Sequence, residues 1–247
     1  MGKIIRVLLL KILGLKNYLS LVSDIYIRLI RSGFMKKKYP ELFFLKQLVK
    51  PGFVCVDIGA NVGYYSVFLS QLSTKNGRVH AVEPVGLFAG IFKQNAKKFG
   101  LENITLHQIA LGASNKKIKM GTPVIDGVFR HGLTKVLNEN SPENLYSYDV
   151  EMKIPDELFS SLERLDFLKC DVEGYEVVLF PHFMSILSKF KPIIQMEISS
   201  EENRRQIFDL LFPLGYSGLR LNENKLEKMP VEDALKYEGG DFYFSAT

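Results

Sequence analysis

The sequence predicts an α/β fold, a three-layer, doubly wound sheet with helices on both faces, preceded by an N-terminal helical extension. Short strand-like runs recur from residue 51 onward, and several are continuously apolar rather than alternating. That is how strands buried on both faces of a parallel sheet read. Helix-compatible runs lie between many of them, and strand–helix alternation is the sequence form of a layered α/β sheet. The first strand also ends in a glycine-rich turn that opens into a helix, the place where such sheets bind ligands.

The chain opens with residues 1–15, MGKIIRVLLLKILGL. The apolar run is cut by Lys11 and no small-x-small cleavage site follows, so it does not read as a signal peptide. No stretch approaches the ~18 apolar residues of a membrane span. Gly2 is followed by Arg at position 6, which breaks the myristoylation pattern. An amphipathic helix fits better. Asn17, Ser20, Asp24, Arg28 and Arg31 form one polar stripe, with Leu21, Val22, Ile25, Leu29 and Ile30 off it. Such a helix packs on its own domain, meets a second subunit, or anchors at an anionic lipid interface. The expectation is a contact through residues 1–35 with a dimer partner or the periphery of a membrane. Lys36-Lys37-Lys38 reads as a solvated turn.

Pro51-Gly52 punctuates the chain and separates a basic helical extension, 1–50, from the main domain, 51–247. Strands are expected at Phe53–Ile58, Val79–Val82, Ile104–Ile109, Leu165–Cys170, Ile193–Ile198, Tyr216–Leu221 and Phe242–Phe244. Helices are expected at Tyr64–Leu72, Leu87–Phe99, Val177–Phe190 and Glu201–Leu211. Segment 112–164 is too long for an ordinary connection and is rich in Gly, Ser, Asn and Pro. It reads as an irregular lid or substrate loop.

The 247 residues carry a formal charge of +5, unevenly spread. Residues 1–50 hold 11 Lys/Arg and two acids (+9), while the remaining 197 hold 21 Lys/Arg and 25 acids (−4). A basic appendage on a mildly acidic domain follows, which disfavours a nucleic-acid-binding surface over the whole chain. Ordinary apolar and charged content excludes a disordered chain. Cys55 and Cys170 lie in apolar runs without disulfide or zinc spacing, so they read as buried thiols of a cytoplasmic protein.

The strongest chemical signal is Val56-Asp57-Ile58-Gly59-Ala60-Asn61-Val62-Gly63, a strand ending in Asp-x-Gly-x-Asn-x-Gly. Glycines there let backbone approach a ligand closely. A second strand, His80-Ala81-Val82-Glu83-Pro84, also ends in an acid, where ribose hydroxyls are accepted. Nicotinamide dinucleotide sites instead use Gly-x-Gly-x-x-Gly to cradle a diphosphate. Asp57 would repel a diphosphate and suits a cofactor bearing an ammonium and a sulfonium, which is S-adenosylmethionine.

These two motifs, Ala110-Leu111-Gly112, and Leu168-Lys169-Cys170-Asp171-Val172-Glu173-Gly174-Tyr175-Glu176 together resemble the FkbM family of S-adenosylmethionine-dependent methyltransferases, over roughly residues 51–200. The resemblance implies a seven-stranded sheet ordered 3-2-1-4-5-7-6, mostly parallel with the last strand antiparallel. It implies O-methylation of a hydroxyl on a sugar, glycan or natural product. By the resemblance, Asp57, Gly59, Asn61 and Gly63 line the methionine end of the cofactor, Glu83 holds the ribose, and Ile109-Ala110 lie near the adenine.

Methyl transfer needs alignment of donor and acceptor and removal of the hydroxyl proton. Asp171 and Glu173, at the end of an apolar strand, are candidate bases. His131, in the expected lid, is a third, and neighbouring Arg130 is a candidate for an anionic acceptor. Asp171 and Glu197, at adjacent strand ends, are alternatively candidate ligands of a divalent cation such as Mg²⁺. His80, His107 and His182 read as structural. Competing readings are a nucleic-acid or other small-molecule methyltransferase, a nicotinamide-dependent reductase, and a binding module without activity. The reductase lacks its glycine pattern and any Tyr-x-x-x-Lys pair. Base amino-methylation lacks its (Asn/Asp)-Pro-Pro-(Tyr/Phe) motif, so no sequence-specific nucleic acid is expected.

Overall fold

A computed structural model describes residues 3–125, 127–138, 141–142 and 145–246. Gly2, of the acylation pattern, lies outside the described residues. In chain order the helices and strands are α1 (Lys3–Arg31), α2 (Pro40–Leu48), β1 (Val54–Ile58), α3 (Tyr64–Ser73), β2 (Arg78–Val82), α4 (Gly86–Lys98) and β3 (Ile104–His107). A mainly β segment follows: β4 (Ala110–Leu111), β5 (Lys116–Ile125), β6 (Val128–Phe129), β7 (Lys135–Val136), β8 (Leu145–Lys153) and the short α5 (Pro155–Leu158). The chain closes with β9 (Phe167–Cys170), α6 (Glu176–Leu179), α7 (Met184–Phe190), β10 (Ile193–Met196), α8 (Glu201–Leu211), β11 (Tyr216–Asn222), β12 (Lys225–Lys228), α9 (Val231–Lys236) and β13 (Phe242–Ala246).

The main sheet has the order β12-β11-β13-β10-β9-β1-β2-β3. β1, β2, β3, β9 and β10 are parallel, while β13 runs antiparallel to both β10 and β11. This is the expected α/β arrangement and strand order with one difference. An eighth strand, β12, folds back on β11 as a hairpin through Glu223 and Asn224, both at positive φ. Polar residues in Asn222–Lys228 hide that edge strand from an apolar-run search. Central strands are buried on both faces: every residue of β9 is buried, as are Cys55, Val56, Asp57 and Ile58 of β1.

Two further expectations are corrected. The helix expected over 177–190 is interrupted, because Pro181 cannot continue an α-helix. Phe180–His182 is a 3₁₀ turn between α6 and α7. The segment 112–164 is not irregular. β5 and β8 pair along most of their length, and with β4, β6 and β7 they form a second, five-stranded sheet. Its inward residues alternate, Ile118 and Met120 on β5 with Val150 and Met152 on β8, giving a small core of their own beside Ala110. Gly121 and Pro123, which read as loop residues, lie inside β5, paired with Ser147 and Leu145 of β8.

Helix α1 forms as expected but is oriented differently. Its polar stripe turns inward, onto α4. Ser23 Oγ accepts from Asn95 Nδ2 at 3.1 Å, and the Lys98 ammonium lies 2.7 Å from Asp24. Arg28 and Arg31 stack over Phe99. Tyr18, Leu19, Ile27 and Ile30 are buried, while Leu21 and Ile25 are left exposed. Gly14, at φ +70°, kinks the helix between its two halves. Leu42, Phe43 and Leu45 of α2 enter one core cluster with Phe68, Leu69 and Phe167, so the basic extension is knit into the sheet domain. Among the described residues no helix is long and apolar enough to cross a membrane.

Candidate active site

The turn after β1 depends on glycine at one critical contact. Gly59 has φ +82°, and a Cβ there would sit 1.9 Å from the carbonyl oxygen of Asp171 at the end of β9. Only a residue without a side chain lets these two strand ends approach so closely. The amides of Gly59 and Ala60 donate to the Val82 carbonyl at 3.1 and 3.0 Å, tying β1 to the end of β2. Asn61 follows at φ +50°, a conformation asparagine tolerates better than most residues. Gly63, at φ +99°, then caps α3 and packs on the Phe92 ring.

These connections gather Asp57, Glu83 and Asp171 at the carboxyl ends of β1, β2 and just beyond β9, around one cavity. Gly59, Asn61, Ala110, Glu173 and His131 line the same cavity. Eight of the expected site residues are therefore brought together. Gly63 is not part of the lining and acts through the helix cap. The cavity's cover comes from the second sheet and its turns, which contribute Met120, His131, Gly132, Thr134 and Val136. The 112–164 segment thus stands where a lid was expected, although it is built of strands.

The charges are arranged in a row across the sheet. Asp57, Lys169 and Gln195 are register partners on three neighbouring strands. Burial raises the Asp57 carboxyl above its ordinary range, opposed by Lys169 and by the Ser66 hydroxyl, which donates to it at 2.5 Å. Lys169 is buried, 3.1 Å from Asp171 Oδ2 and 4.4 Å above the Tyr65 ring. Burial works against its charge, but Asp171, Asp241 and Asp57 together overcome this and hold the ammonium protonated.

Glu83 accepts the Asn61 amide at 2.9 Å and the Val85 amide at 2.7 Å, one on each oxygen. Each oxygen keeps a lone pair for a further donor. Burial, reinforced by Asp57, nevertheless pushes its carboxyl up to about 7. Glu173, at φ +54° in the turn after β9, is exposed on one side, and partial desolvation, followed by Asp171, Glu197 and Glu176, pushes it to about 7. Glu176 is structural: its carboxylate accepts the amides of Val172 and Gly174, closing that turn. His131 is half-buried against Asn61, and desolvation pushes its ring down to about 4, so it is neutral near pH 7.

The expected divalent-cation pair does not fit. Asp171 is engaged by the Lys169 ammonium, and Glu197 is outside the cavity lining. Among the described residues, no group of three or more His, Cys, Asp or Glu could hold a metal ion. His80 and His107 stack on each other, with ring nitrogens 3.1 Å apart, and pack on Phe159. Their place is in the sheet, as expected. Both cysteines are buried thiols.

Residues 57–220 match the family described as Methyltransferase FkbM domain. The chain belongs to this family. It is also similar to the protein-L-isoaspartate O-methyltransferase of Aeropyrum pernix, 32% identical over 74 residues, which are 30% of this chain and 28% of that protein. Similar solved structures include an FkbM methyltransferase of Methylobacillus flagellatus KT, with 16% identity, 80% of this chain and 48% of that one covered, and a TM-score of 0.48. Another is an S-adenosylmethionine-dependent O-methyltransferase of Thermotoga maritima, with 14% identity, 84% and 64% covered, and a TM-score of 0.47. The chain spans less than a third of the isoaspartate methyltransferase and less than half of the Methylobacillus protein.

In this FkbM-family domain, sequence reading assigned no role to Lys169, Tyr64 or Tyr65, which also line the cavity. A signal for Lys169 was present. A lone lysine inside the apolar run Phe167–Cys170 has to be paired, and the register places it beside Asp57. Nothing comparable marks the tyrosines, whose place depends on how α3 packs.

Proposed function

We propose that this FkbM-family chain transfers a methyl group from S-adenosylmethionine to a hydroxyl of a sugar, glycan or other hydroxylated small molecule. The observation that carries this reading is the pair of buried carboxylates, Asp57 and Glu83, on either side of the Gly59 turn. A diphosphate-bearing cofactor would be repelled there. An ammonium and a sulfonium are attracted, and ribose hydroxyls find free lone pairs on Glu83. The residues present therefore fit the cofactor: Asp57 and Asp171 at its cationic end, Glu83 at the ribose, and Ala110 toward the base. When bound, the cofactor supplies an activated methyl group on a sulfonium leaving group.

The protein's share is orientation and proton removal. Glu173 is the best-matched base, because a carboxyl that titrates near neutrality combines a useful ionised fraction with adequate basicity. Asp171, held by Lys169, keeps negative charge beside it. The neutral His131 is tied at Nδ1 and leaves Nε2 as an acceptor that can orient a hydroxyl. Calorimetry with S-adenosylhomocysteine and with NADH tests the cofactor. The first should bind, Asp57→Ala should abolish that binding, and binding of NADH alone would overturn the reading. Transfer of labelled methyl to a panel of hydroxylated acceptors then tests the reaction.

A further inference from the structure

The inward turn of the polar stripe leaves α1 with an unusual outer surface. Ile5, Leu8 and Ile12 recur on one side of its first half and are 52%, 55% and 69% exposed. Beyond the Gly14 break, Leu21 and Ile25 are also open. Phe34, in the turn that follows, is 79% exposed. The inner side of the first half is apolar too: Leu9, Leu10 and Leu13 pack toward Tyr18, Leu19 and Phe129. A helix apolar on both its packed and its open sides is costly in water and favourable where the open side meets lipid.

Charge selects the kind of lipid. Arg6, Lys11, Lys16, Lys36 and Lys37 are interleaved with these residues in the sequence, and Asp24 is the one acid before Glu41. Asp24 is already neutralised by Lys98 and Arg28. Basic side chains beside aliphatic and aromatic ones are the composition that binds anionic bilayers.

The same face holds the mouth of a cleft. Arg6, Ile25, Leu29, Ile125 and Leu133 surround its outer part. At its inner end lie Tyr64, His131 and Gly132, which also line the cofactor cavity. The cleft and the cavity therefore adjoin, with Tyr64, His131 and Gly132 between them.

We infer that the surface formed by α1, the Phe34 turn and the mouth residues Ile125 and Leu133 seats on an anionic lipid bilayer, with the cleft opening toward it. The lipid contact stands independently of the methyl-transfer reading. The test is co-sedimentation of the full chain with vesicles of phosphatidylcholine alone and of phosphatidylcholine mixed with phosphatidylglycerol. The protein should pellet with the mixed vesicles, and added salt should release it. Ile5→Ser with Leu8→Ser and Ile12→Ser should lower the partition coefficient about tenfold or more. Lys36→Ala with Lys37→Ala should lower it about fivefold per lysine. All these residues are exposed, so affinity for S-adenosylhomocysteine should be unchanged in every variant, confirming that each is folded. Failure to pellet with anionic vesicles would overturn the inference, as would equal pelleting of the variants. So would a dimer in solution that the triple serine variant dissociates, since a second copy would then cover this face.

Discussion

Asn61 and His131, 70 residues apart in the chain, hold each other by two hydrogen bonds. Asn61 Nδ2 donates to the His131 carbonyl at 3.1 Å, and His131 Nδ1 donates to Asn61 Oδ1 at 2.9 Å. The pair pins the 3₁₀ turn His131–Leu133 onto the turn after β1. It also fixes which ring nitrogen of His131 carries the proton.

A double-mutant cycle reads this clamp. Asn61→Ala and His131→Ala should each weaken S-adenosylhomocysteine binding. In the Asn61→Ala background the histidine change should be nearly silent, because its partner is already gone. The coupling between them should be about 0.5–3 kcal/mol by calorimetry. Strictly additive losses would show that the two residues act independently.

Gly59→Ala tests the close approach of β1 and β9. The added Cβ would meet the Asp171 carbonyl at 1.9 Å, a backbone atom that cannot swing away. Positive φ adds a further penalty of about 1–2 kcal/mol for a residue with a side chain. A lowered melting temperature and loss of S-adenosylhomocysteine binding are expected. Gly90→Ala, inside α4 where nothing lies within 4 Å of the added carbon, should leave binding unchanged and hold or slightly raise the melting temperature.

What was legible in the sequence follows the range of the interactions involved. Glu201–Leu211 is read from its periodicity and is observed with those bounds, since Ser200 caps it locally and Glu201 and Glu202 suit its first turn. The turn from Asp57 to Gly63 and the acid Glu83 are legible because a glycine-rich turn at a strand end is a local backbone device. The second sheet was not, because Gly121 and Pro123 inside β5 break the strand pattern that the alternation of Ile118, Met120, Val150 and Met152 would otherwise show. The orientation of α1 was not legible either. Ser23 and Asp24 pair with Asn95 and Lys98 of α4, about 70 residues away, and no local pattern announces those partners. Lys169 became interpretable only when the register set it beside Asp57.

Stability and cofactor affinity should respond to pH in opposite directions through Glu83. Its folded carboxyl titrates at about 7, above the ~4.3 of an unfolded glutamate. Between those values the folded state holds a proton that the unfolded state has released. This contribution to stability is therefore fully present below about pH 4.3 and is lost as pH rises through about 7. In the proposed cofactor site, ribose hydroxyls would donate to the ionised form, so S-adenosylhomocysteine affinity should rise from pH 6 to pH 8, by about tenfold per pH unit at most. Glu83→Gln should bind more weakly and flatten this dependence. An unchanged pH profile in that variant would assign the titration to another group.

Glu173 and Asp171 make separable predictions about the reaction itself. A base must be ionised to take the hydroxyl proton, and Glu173 titrates at about 7. With any accepted hydroxyl substrate, kcat/KM should rise with pH and level off above about 7. Glu173→Gln should lower the plateau by about 10²–10⁴-fold and remove the inflection, because general-base assistance is worth about that much. Asp171→Asn should act differently. Its carboxylate is one of the charges that raises Glu173. Removing that charge should move the inflection to lower pH while lowering turnover, with S-adenosylhomocysteine binding retained. An inflection that stays in place in Asp171→Asn, or survives in Glu173→Gln, would transfer the base role away from Glu173.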